Sequence, residues 1–410
     1  MLRGLHGLVR ALRDHRSMRD LISSGQDTSE LSEQQELDPR QRAWLEVSPA
    51  AVEANARAIK RLLKPSCALM AVVKADGYGH GATTVARAAV QGGASQLGVA
   101  TLQEGIDLRR AGLTQPVLVL GNLTQPDDLR ACLHWQLMPT LSSMREALLC
   151  HNLADGSGRQ FAVQLKLDTG MARLGCAWED APRLTKAIQQ LDQLKLSGIY
   201  SHLALADGGA DGDGERVTRL QQSRFEDVLN QLPRCGALRH LANSAGTLRD
   251  PALHHDLVRV GLALYGHSPS DHLGASVKLQ PAMGVKARVT LIRDVAAGVG
   301  VSYGHRFVTR RPSRLAVVAI GYADGISRAL SGKITALHRG RALPQVGAIT
   351  MDQLILDATD HADLESGDVV TLLGRDGDQE ISPRLWSQLS DSIPWEVLCG
   401  FKHRLPRVTV

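Results

Sequence analysis

Short apolar runs rich in β-branched residues alternate with stretches of helical periodicity between residues 40 and about 280. Segments such as Thr83–Gln91 and Leu102–Ala111 separate the runs and favour helices. This alternation is typical of parallel strands joined by helices, and eight units predict a (β/α)8 barrel, the TIM-like form of the α/β class. The eight runs are Leu69–Val73, Leu97–Thr101, Val117–Leu120, Leu137–Thr140, Phe161–Leu167, Gly198–His202, His240–Ala242 and Leu257–Leu264.

The pattern changes beyond residue 281. Strand-like stretches such as Lys286–Val295 and Val369–Leu373 are broken there by Gly, Pro and Asp turns. At the other end of the chain, a basic amphipathic tip is followed by a polar stretch, a composition that predicts a disordered extension without chemistry. The predicted parts are the extension (1–39), the barrel (40–280) and a mainly β C-terminal domain (281–410).

Composition and charge argue against several classes of partner. The formal net charge of +5 is spread over 410 residues without a block of Lys and Arg, so we expect neither a nucleic-acid nor a membrane partner. No apolar run is long enough for a signal peptide or a bilayer span, which predicts a soluble cytoplasmic protein. The six cysteines include no CxxC pair and no His–Cys cluster, so we expect reduced thiols and no metal site.

Polar residues lie at the ends of the predicted barrel strands, where TIM-like barrels carry their chemistry. Taken singly, each has a structural explanation, since a strand-end histidine or lysine is often satisfied within the fold or extends to solvent. Taken together, they predict an active site at one mouth of the barrel. These residues are Lys74, Arg173, His202, Ser244 and Arg259.

Lys74 is distinctive because it ends the apolar stretch Ala68–Val73 and is followed by ADGYGHG. A lysine that emerges from an apolar wall loses hydration, and this favours its neutral, nucleophilic amine. On spacing alone, the alternative of a lysine that extends along the apolar surface to solvent stays open.

A series of motifs resembles those of alanine racemases, in the order found in that family and over about residues 42–407. The motifs are AVVKADGYGHG around Lys74, KLDTGMARLG from Lys166, GIYSHLA around His202, HLANSAG around Ser244, DLVRVGLALYG around Arg259, VSYG ending at Gly304 and MDQ from Met351. The resemblance implies a homodimeric enzyme that interconverts L- and D-alanine with pyridoxal 5'-phosphate (PLP) and supplies D-alanine for peptidoglycan.

The resemblance also implies how the cofactor is held. Lys74 would attach PLP covalently, Arg173 would contact its phenolic oxygen and the substrate, and His202 would pack against the pyridine ring. The phosphate would be bound by hydroxyl and backbone N–H groups. These groups belong to Tyr78, Asn243, Ser244, Gly261 and Leu262.

Arg259, which the resemblance links to His202, bears on the type of reaction. Many PLP enzymes place a carboxylate beside the pyridine nitrogen and so keep that nitrogen protonated, whereas an arginine cannot accept the proton. The negative charge of the substrate carbanion then spreads less into the ring. An arginine at this position therefore favours racemisation over transamination.

Racemisation requires acid–base groups on both faces of the substrate. By the resemblance, Lys74 serves D-alanine, Tyr303 removes the proton from L-alanine, and the Met351 amide binds the substrate carboxylate. Tyr303 and Met351 lie in the C-terminal domain, which in this family reaches into the partner's barrel. We therefore expect active sites shared between two subunits and an inactive monomer.

Three further residues are expected to support the site. Lys166 matches a lysine that some members carry as a carbamate, and an ion pair with Asp168 is the alternative. Tyr322 resembles a tyrosine at the entrance of the site, and Asp352 belongs to the MDQ motif.

Three positions depart from the family pattern. Trp395 stands where many members have a phosphate-binding tyrosine, and an indole N–H donates but does not accept. Ala348 replaces an arginine, and Val260 replaces a proline. These departures bear on PLP affinity rather than on the reaction.

Other functions remain open at this stage. Within PLP chemistry, the alternatives are a racemase of serine or another small amino acid, and a decarboxylase with a similar barrel and β domain. A non-catalytic PLP-binding protein is a third. The VSYG and MDQ segments favour racemisation, and a C-terminal domain that carries Tyr303 argues against the non-catalytic alternative.

Overall fold

The computed structural model describes residues 38–209, 212–232, 236–401 and 403–410. The chain divides into two compact units, Met1–Gln41 and Arg42–Val410, and the second contains all the elements below. Most of the predicted extension, residues 1–37, lies outside the described residues, so its disorder stays a prediction.

A barrel of eight parallel strands forms the first part of the larger unit, as the sequence predicts. Its strands hydrogen-bond in the order β10-β2-β3-β4-β5-β6-β8-β9, and β7 pairs with β6 alone. The Asp256 N–H donates to the Arg239 carbonyl at 2.9 Å, and the Arg259 N–H donates to the Ala242 carbonyl at 3.0 Å, so the barrel is nearly closed between β9 and β10. The first ten strands are β1 (Ala43–Val47), β2 (Ala68–Val72), β3 (Gln96–Val99), β4 (Val117–Asn122), β5 (Leu137–Leu141), β6 (Phe161–Asp168), β7 (Cys176–Ala177), β8 (Leu194–Tyr200), β9 (Leu238–His240) and β10 (Leu257–Val260).

Helices connect the barrel strands and cover them. Two of them begin with capping boxes, in which the Thr101 and Ser143 side chains accept N–H groups of Glu104 and Glu146 and the glutamates return the bond. The helices are α1 (Pro49–Leu62), α2 (Ala82–Gln91), α3 (Leu102–Arg110), α4 (Pro126–His134), α5 (Met144–Ala154), α6 (Ala181–Gln189), α7 (Asp213–Asn230) and α8 (Ser244–Arg249). Short 3₁₀ helices span Pro251–Leu253, Leu262–Tyr265 and Asp271–Ser276.

The barrel interior is filled by side chains, so the barrel is a packed core rather than a channel. A buried cluster there takes one residue from each of five strands: Met70, Leu118, Met138, Tyr200 and Leu257. Neighbouring positions such as Leu69 and Leu97 belong to the larger core between strands and helices. This alternation follows from the two-residue side-chain period of a strand.

The second part is mainly β, also as predicted. Its nine-stranded sheet runs in the order β19-β18-β15-β16-β17-β14-β11-β1-β20. The strands are β11 (Met283–Val295), β12 (Gly300–Val301), β13 (Phe307–Val308), β14 (Ser313–Val318), β15 (Thr335–His338), β16 (Arg341–Val346), β17 (Leu354–Asp357), β18 (Val369–Asp376), β19 (Gln379–Ile381) and β20 (Arg407–Thr409). Two 3₁₀ helices, Tyr303–His305 and Arg328–Leu330, and the helices α9 (Pro383–Ser390) and α10 (Pro394–Gly400) complete it.

Strand β1 belongs to this second sheet although it precedes the barrel in sequence. It pairs antiparallel with β11, with Leu45 opposite Val285, and parallel with β20, with Leu45 opposite Arg407. The predicted limits of 40–280 and 281–410 thus place β1 in the barrel segment, whereas its hydrogen bonds lie in the β domain. Among the described residues, no helix is long and apolar enough to cross a bilayer.

Candidate active site

A cavity of about 800 Å³ opens at the carboxyl ends of the barrel strands. Helix α10 of the C-terminal part lines one side of it through Trp395, which also packs on both hydrophobic cores. The sequence-predicted residues that line this cavity are Lys74, Tyr78, Lys166, Arg173, His202, Asn243, Ser244, Arg259, Gly261, Leu262 and Trp395. The structure therefore brings all the predicted barrel residues to one place.

The segment that carries Lys74 has an unusual backbone. A single helical turn, Lys74–Tyr78, follows β2 directly, and we call it the lysine turn. Four consecutive residues in it have positive φ: 52° at Ala75, 53° at Asp76, 60° at Gly77 and 54° at Tyr78. Left-handed geometry costs about 1–2 kcal/mol for each residue with a Cβ, so neighbouring groups must hold the turn.

Two side chains bond to the lysine turn or to the residue after it, and one side chain of the turn bonds outward to the start of α2. Glu104 Oε1 accepts the Ala75 N–H at 2.6 Å, while its other oxygen accepts N–H groups at the start of α3. Asp76 Oδ1 accepts the Ala82 N–H at 2.9 Å. From β20, Arg407 Nε donates to the Gly79 carbonyl at 3.1 Å. The geometry of Lys74 therefore depends on both parts of the molecule.

The environment of Lys74 favours its neutral amine. Burial lowers the pKa of Lys74, and the nearby positive charge of Arg173 lowers it further. A lysine with a lowered pKa is a better nucleophile and base near neutral pH. This is the electrostatic condition that the apolar strand before Lys74 predicts.

Arg259 is buried at the mouth of the barrel, with only 3% of its surface exposed. Its Nη1 donates to His240 Nδ1 at 3.0 Å, and its Nη2 donates to the Ser201 carbonyl at 2.7 Å and to His202 Nδ1 at 3.1 Å. Burial lowers the pKa of Arg259 to about 10, so it stays protonated at neutral pH. Its Nε–H has no acceptor among the described residues.

The contact with Arg259 fixes the state of His202. A guanidinium only donates, so His202 Nδ1 must accept and its proton must lie on Nε2. Burial, followed by the charge of Arg259, holds the pKa of His202 well below its usual range. His202 is therefore a neutral ring at the edge of the cavity.

Ser244 and Gly261 form a compact polar corner opposite the tyrosine of the lysine turn. Ser244 Oγ accepts the Gly261 N–H at 3.0 Å, so in this structure that N–H is directed to the serine. A Cβ on Gly261 would lie 2.4 Å from the Tyr78 hydroxyl oxygen, so the hydroxyl occupies space that only glycine leaves free. Asn243 caps α8 by accepting the Gly246 N–H at 3.0 Å.

Lys166 lies on β6 beneath the cavity, with Nζ 5.6 Å from the centre of the Tyr200 ring. Burial, and then the charges of Arg173 and Arg259, lower the pKa of Lys166 to about 8. Asp168 Oδ1 instead accepts the N–H groups of the loop that follows β6, including that of Gly170 at 2.9 Å. Within the described range, no ion pair joins Lys166 to Asp168.

Four predicted residues, Tyr303, Tyr322, Met351 and Asp352, lie outside the cavity of their own chain. Tyr303, Tyr322 and Met351, which we call the tyrosine surface, are 73%, 42% and 53% exposed. Two hydrogen bonds tie their loops together: the Tyr322 N–H donates to the Thr350 carbonyl at 3.0 Å, and the Ser302 side chain donates through Oγ to the Ala348 carbonyl at 2.7 Å. The three side chains thus belong to one surface of the β domain.

Charged side chains support the tyrosine surface from beneath. Asp352 accepts a hydrogen bond from Arg404 Nη2 at 2.8 Å. The fully buried Asp324 accepts both Nη groups of Arg42 at 2.9 and 2.6 Å, and the Gly321 N–H at 3.0 Å. These bonds fix the loop that carries Tyr322.

Several residues that position the site escaped the sequence analysis. Glu104 has a detectable signal, the Thr101–Glu104 capping box, but its second bond to the lysine turn does not follow from that spacing. Gln221 of α7 holds the segment that follows β8, since its amide nitrogen donates to the His202 carbonyl at 2.9 Å and its oxygen accepts the Ala204 N–H at 2.8 Å. His80 and Arg407 likewise carry no distinctive local pattern.

The fold and the cavity define a barrel enzyme that combines a strand-end lysine with a group of positively charged side chains. In the part of the chain that the structure describes, no cluster of His, Cys, Asp or Glu has the geometry of a metal site. The family model "Alanine racemase, N-terminal domain" matches residues 47–269, and "Alanine racemase, C-terminal domain" matches residues 282–409. The chain belongs to the alanine racemase family.

Individual relatives agree over most of the chain. An alanine racemase of Prochlorococcus marinus is 61% identical over 376 residues, covering 91% of this chain and 97% of that protein. The crystal structure of an alanine racemase from D-cycloserine producing Streptomyces lavendulae has a TM-score of 0.83 and 38% identity, covering 90% of this chain and 97% of that one. A Bartonella henselae alanine racemase structure with covalently bound pyridoxal phosphate has a TM-score of 0.80 and 32% identity, covering 90% and 99%.

The buried Lys166 makes stability depend on pH. Its pKa falls from 10.5 to about 8 on folding, so below pH 8 the buried charge costs about 3 kcal/mol, and this cost is lost as the pH rises from 8 to 10.5. We expect Lys166→Met to raise the free energy of unfolding at pH 7 by up to about 3 kcal/mol, and by less as the pH rises towards 10. Denaturant titrations in CO2-free buffer measure this.

The control for this titration is Lys195→Met, because Lys195 is exposed on β8. Its effect on the free energy of unfolding should be small, because the side chain is already in solvent. If Lys166→Met raised the free energy of unfolding equally at pH 7 and pH 10, the assignment of a lowered pKa to Lys166 would be contradicted.

Proposed function

We propose that this protein racemises alanine with PLP as its cofactor, in an active site completed by a second copy of the chain. One observation carries the proposal: Lys74, the Arg259–His202 pair and the Ser244–Gly261 corner meet in one cavity of a chain that matches both domains of the family. D-Alanine made in this way would serve peptidoglycan synthesis.

The cavity fits PLP in charge and shape. Lys166, Arg173 and Arg259 provide positive charge around it, which suits a phosphorylated aromatic aldehyde. The Tyr78 hydroxyl and the Ser244–Gly261 corner leave a polar recess for the phosphate, with Asn243 and Leu262 beside it. PLP held at Lys74 would supply an electron sink: joined to the substrate amine in place of Lys74, it would make the Cα proton acidic and leave the Lys74 amine free to act as a base.

Arg259 and His202 would define the electronic character of the site. The Nη groups of Arg259 are taken up by carbonyls and imidazoles, so its Nε–H is the donor left for a ring nitrogen. Arg259 stays protonated at neutral pH and so cannot give the ring nitrogen a proton. An unprotonated ring takes up less negative charge, and this would disfavour transamination. The neutral His202 would provide a flat face for packing against the ring.

Two groups would move the proton on opposite faces of the substrate. Lys74 Nζ, with its lowered pKa, would exchange the proton of D-alanine. The deprotonated phenolic oxygen of Tyr303 would accept the proton of L-alanine from the other face. Arg173 and the Met351 N–H, which has no acceptor among the described residues, would hold the carboxylate and keep Cα between the two bases.

A second subunit would supply the tyrosine. Tyr303 and Met351 are mostly exposed and absent from the residues that line the cavity of their own chain. A large exposed group of this kind is typical of a surface that meets a partner. A symmetric pair would place each tyrosine surface, including Tyr322, at the mouth of the partner's barrel.

Two supporting residues bear on details of the site. The neutral form of an amine reacts with CO2, and the low pKa of Lys166 makes that form abundant near pH 8. Its lack of an ion pair with Asp168 also leaves the amine available, so we favour a carbamate on Lys166. Trp395 would close the phosphate recess by packing.

The activity is tested by incubating the protein and PLP with L-alanine and following the loss of optical rotation. We expect racemisation, and a decrease in rate of about 10²–10⁴ in both Lys74→Ala and Tyr303→Phe, because each removes an acid–base group. Proton exchange from L-alanine should depend on Tyr303. The turnover of serine and the release of CO2 are measured in parallel.

The outcomes separate the alternatives. Faster turnover of serine would point to a serine racemase, and CO2 release to a decarboxylase. A normal rate of proton abstraction from L-alanine in Tyr303→Phe would rule out the role given to that tyrosine.

Sharing of sites is tested by mixing two inactive variants. A heterodimer of Lys74→Ala and Tyr303→Phe subunits has one site with both lesions and one intact site. After dissociation and reassociation of equal amounts, we expect about a quarter of the wild-type activity. If each subunit carried its own complete site, mixing would restore nothing.

The phosphate recess is tested at Gly261. A methyl group at this position would collide with the Tyr78 hydroxyl, so Gly261→Ala should displace a phosphate donor and weaken PLP binding about tenfold or more. Absorbance titration of the apoprotein with PLP measures the Kd. The matched control is Gly284→Ala in β11, where a Cβ meets its nearest neighbour at 3.6 Å, and unchanged affinity in Gly261→Ala would contradict this recess.

A further inference from the structure

His80 lies beneath the lysine turn, and neither the proposed chemistry nor the cofactor recess uses it. The side chain is buried, with 1% of the residue surface exposed. Its Nδ1 lies 3.0 Å from the Gly77 carbonyl oxygen and 3.0 Å from the Tyr78 carbonyl oxygen. Both carbonyls belong to the left-handed backbone that follows Lys74.

The two contacts define the form of the ring. Carbonyl oxygens only accept, so Nδ1 must carry the proton and donate to both. Nε2 is buried and has no partner in the described part of the chain. Burial lowers the pKa of His80 to about 3, so the ring stays neutral and keeps this donor throughout the physiological range.

Aromatic stacking fixes where the donor points. The His80 ring stacks on Tyr265 with centroids 4.5 Å apart, and Tyr265 in turn lies 4.8 Å from the Tyr78 ring. The Tyr265 hydroxyl donates to the Val72 carbonyl at 3.0 Å. The histidine is thus held between the end of β2 and the lysine turn.

A donor is needed at this position because the left-handed turn directs two neighbouring carbonyls into the interior. Gly77 O also accepts the His80 N–H at 3.1 Å, whereas the Tyr78 carbonyl has the imidazole as its hydrogen-bond donor. A buried carbonyl without a donor is costly. The turn would relieve this cost by rotating towards ordinary φ values, and Lys74 would move with it.

We propose that His80 is a positioning residue for Lys74, because its Nδ1–H ties the two carbonyls of the lysine turn and so holds the Lys74 amine in place. The inference rests on the proposed function only where Lys74 is treated as the base for D-alanine. The two hydrogen bonds from Nδ1 to these carbonyls, which we call the clamp, can be measured without assuming any role of Lys74 in the reaction.

Two substitutions at position 80 divide the donor from the ring. His80→Asn keeps an N–H donor near the place of Nδ1 and removes the ring. His80→Phe keeps a stacking ring and removes the donor. His134→Phe is the matched control, because His134 is exposed at the end of α4.

Two measurements on each PLP-loaded protein test the clamp. Amide hydrogen exchange of a peptide covering residues 74–81 reports whether the turn opens. Exchange of the Cα proton in D2O, from D-alanine and separately from L-alanine, reports whether the Lys74 face is affected more than the other face. A general loss of stability would lower the Cα exchange rates of D-alanine and L-alanine together.

We expect His80→Phe to speed amide exchange in 74–81 and to lower the D-to-L ratio of Cα exchange about tenfold, the factor that one unmade buried hydrogen bond typically represents. His80→Asn should keep both values near those of the wild type. Equal losses in the two variants, or an unchanged turn and ratio in His80→Phe, would overturn the proposal.

Two further outcomes are also decisive. If His80→Phe does not fold, His80→Asn still tests the donor: native protection and ratio support the clamp, and loss of either refutes it. If the wild type exchanges neither enantiomer, the proposed function fails, while amide exchange still decides whether His80 holds the turn.

Discussion

The structure of the site depends on burying a permanent positive charge without an opposite one. No carboxylate in the described residues lies within ion-pair distance of Arg259, and the guanidinium bonds instead to imidazoles and to the carbonyls of Ser201, His240 and Leu241. Those carbonyls follow or end β8 and β9, beside the seam where the barrel closes on β10. The interaction that completes the barrel therefore also forms the floor of the cavity.

This arrangement explains why so many cavity residues have altered protonation. Burial and then the charge of Arg259 lower the pKa of His202, and burial followed by the charges of Arg173 and Arg259 lowers the pKa of Lys166. Lys74 is affected mainly by burial and Arg173. A site with excess positive charge attracts an anionic ligand and keeps its amines partly neutral, two properties that otherwise oppose each other.

The sequence predicts what depends on local pattern and misses what depends on distant contacts. The eight barrel strands follow from apolar periodicity, and the motifs of the family indicate which residues line the cavity. Strand β1 could not be placed, because its partners β11 and β20 are far away in sequence. The left-handed course of the lysine turn was also hidden, since Ala75 and Tyr78 are not residues that favour positive φ. The role proposed for Tyr303 in a second subunit comes from the motifs of the family and not from the contacts within one chain.

The hydrogen bond from Arg407 bears on the order in which contacts form during synthesis. It bonds to the Gly79 carbonyl from 328 positions downstream, and β20, which carries it, pairs with β1 at the start of the same unit. During synthesis on the ribosome, the barrel strands emerge long before this arginine does. A nascent barrel therefore has its lysine but lacks the bond from Arg407 to the residue after the lysine turn, so the turn gains its full set of contacts only after the downstream domain has been translated and has docked.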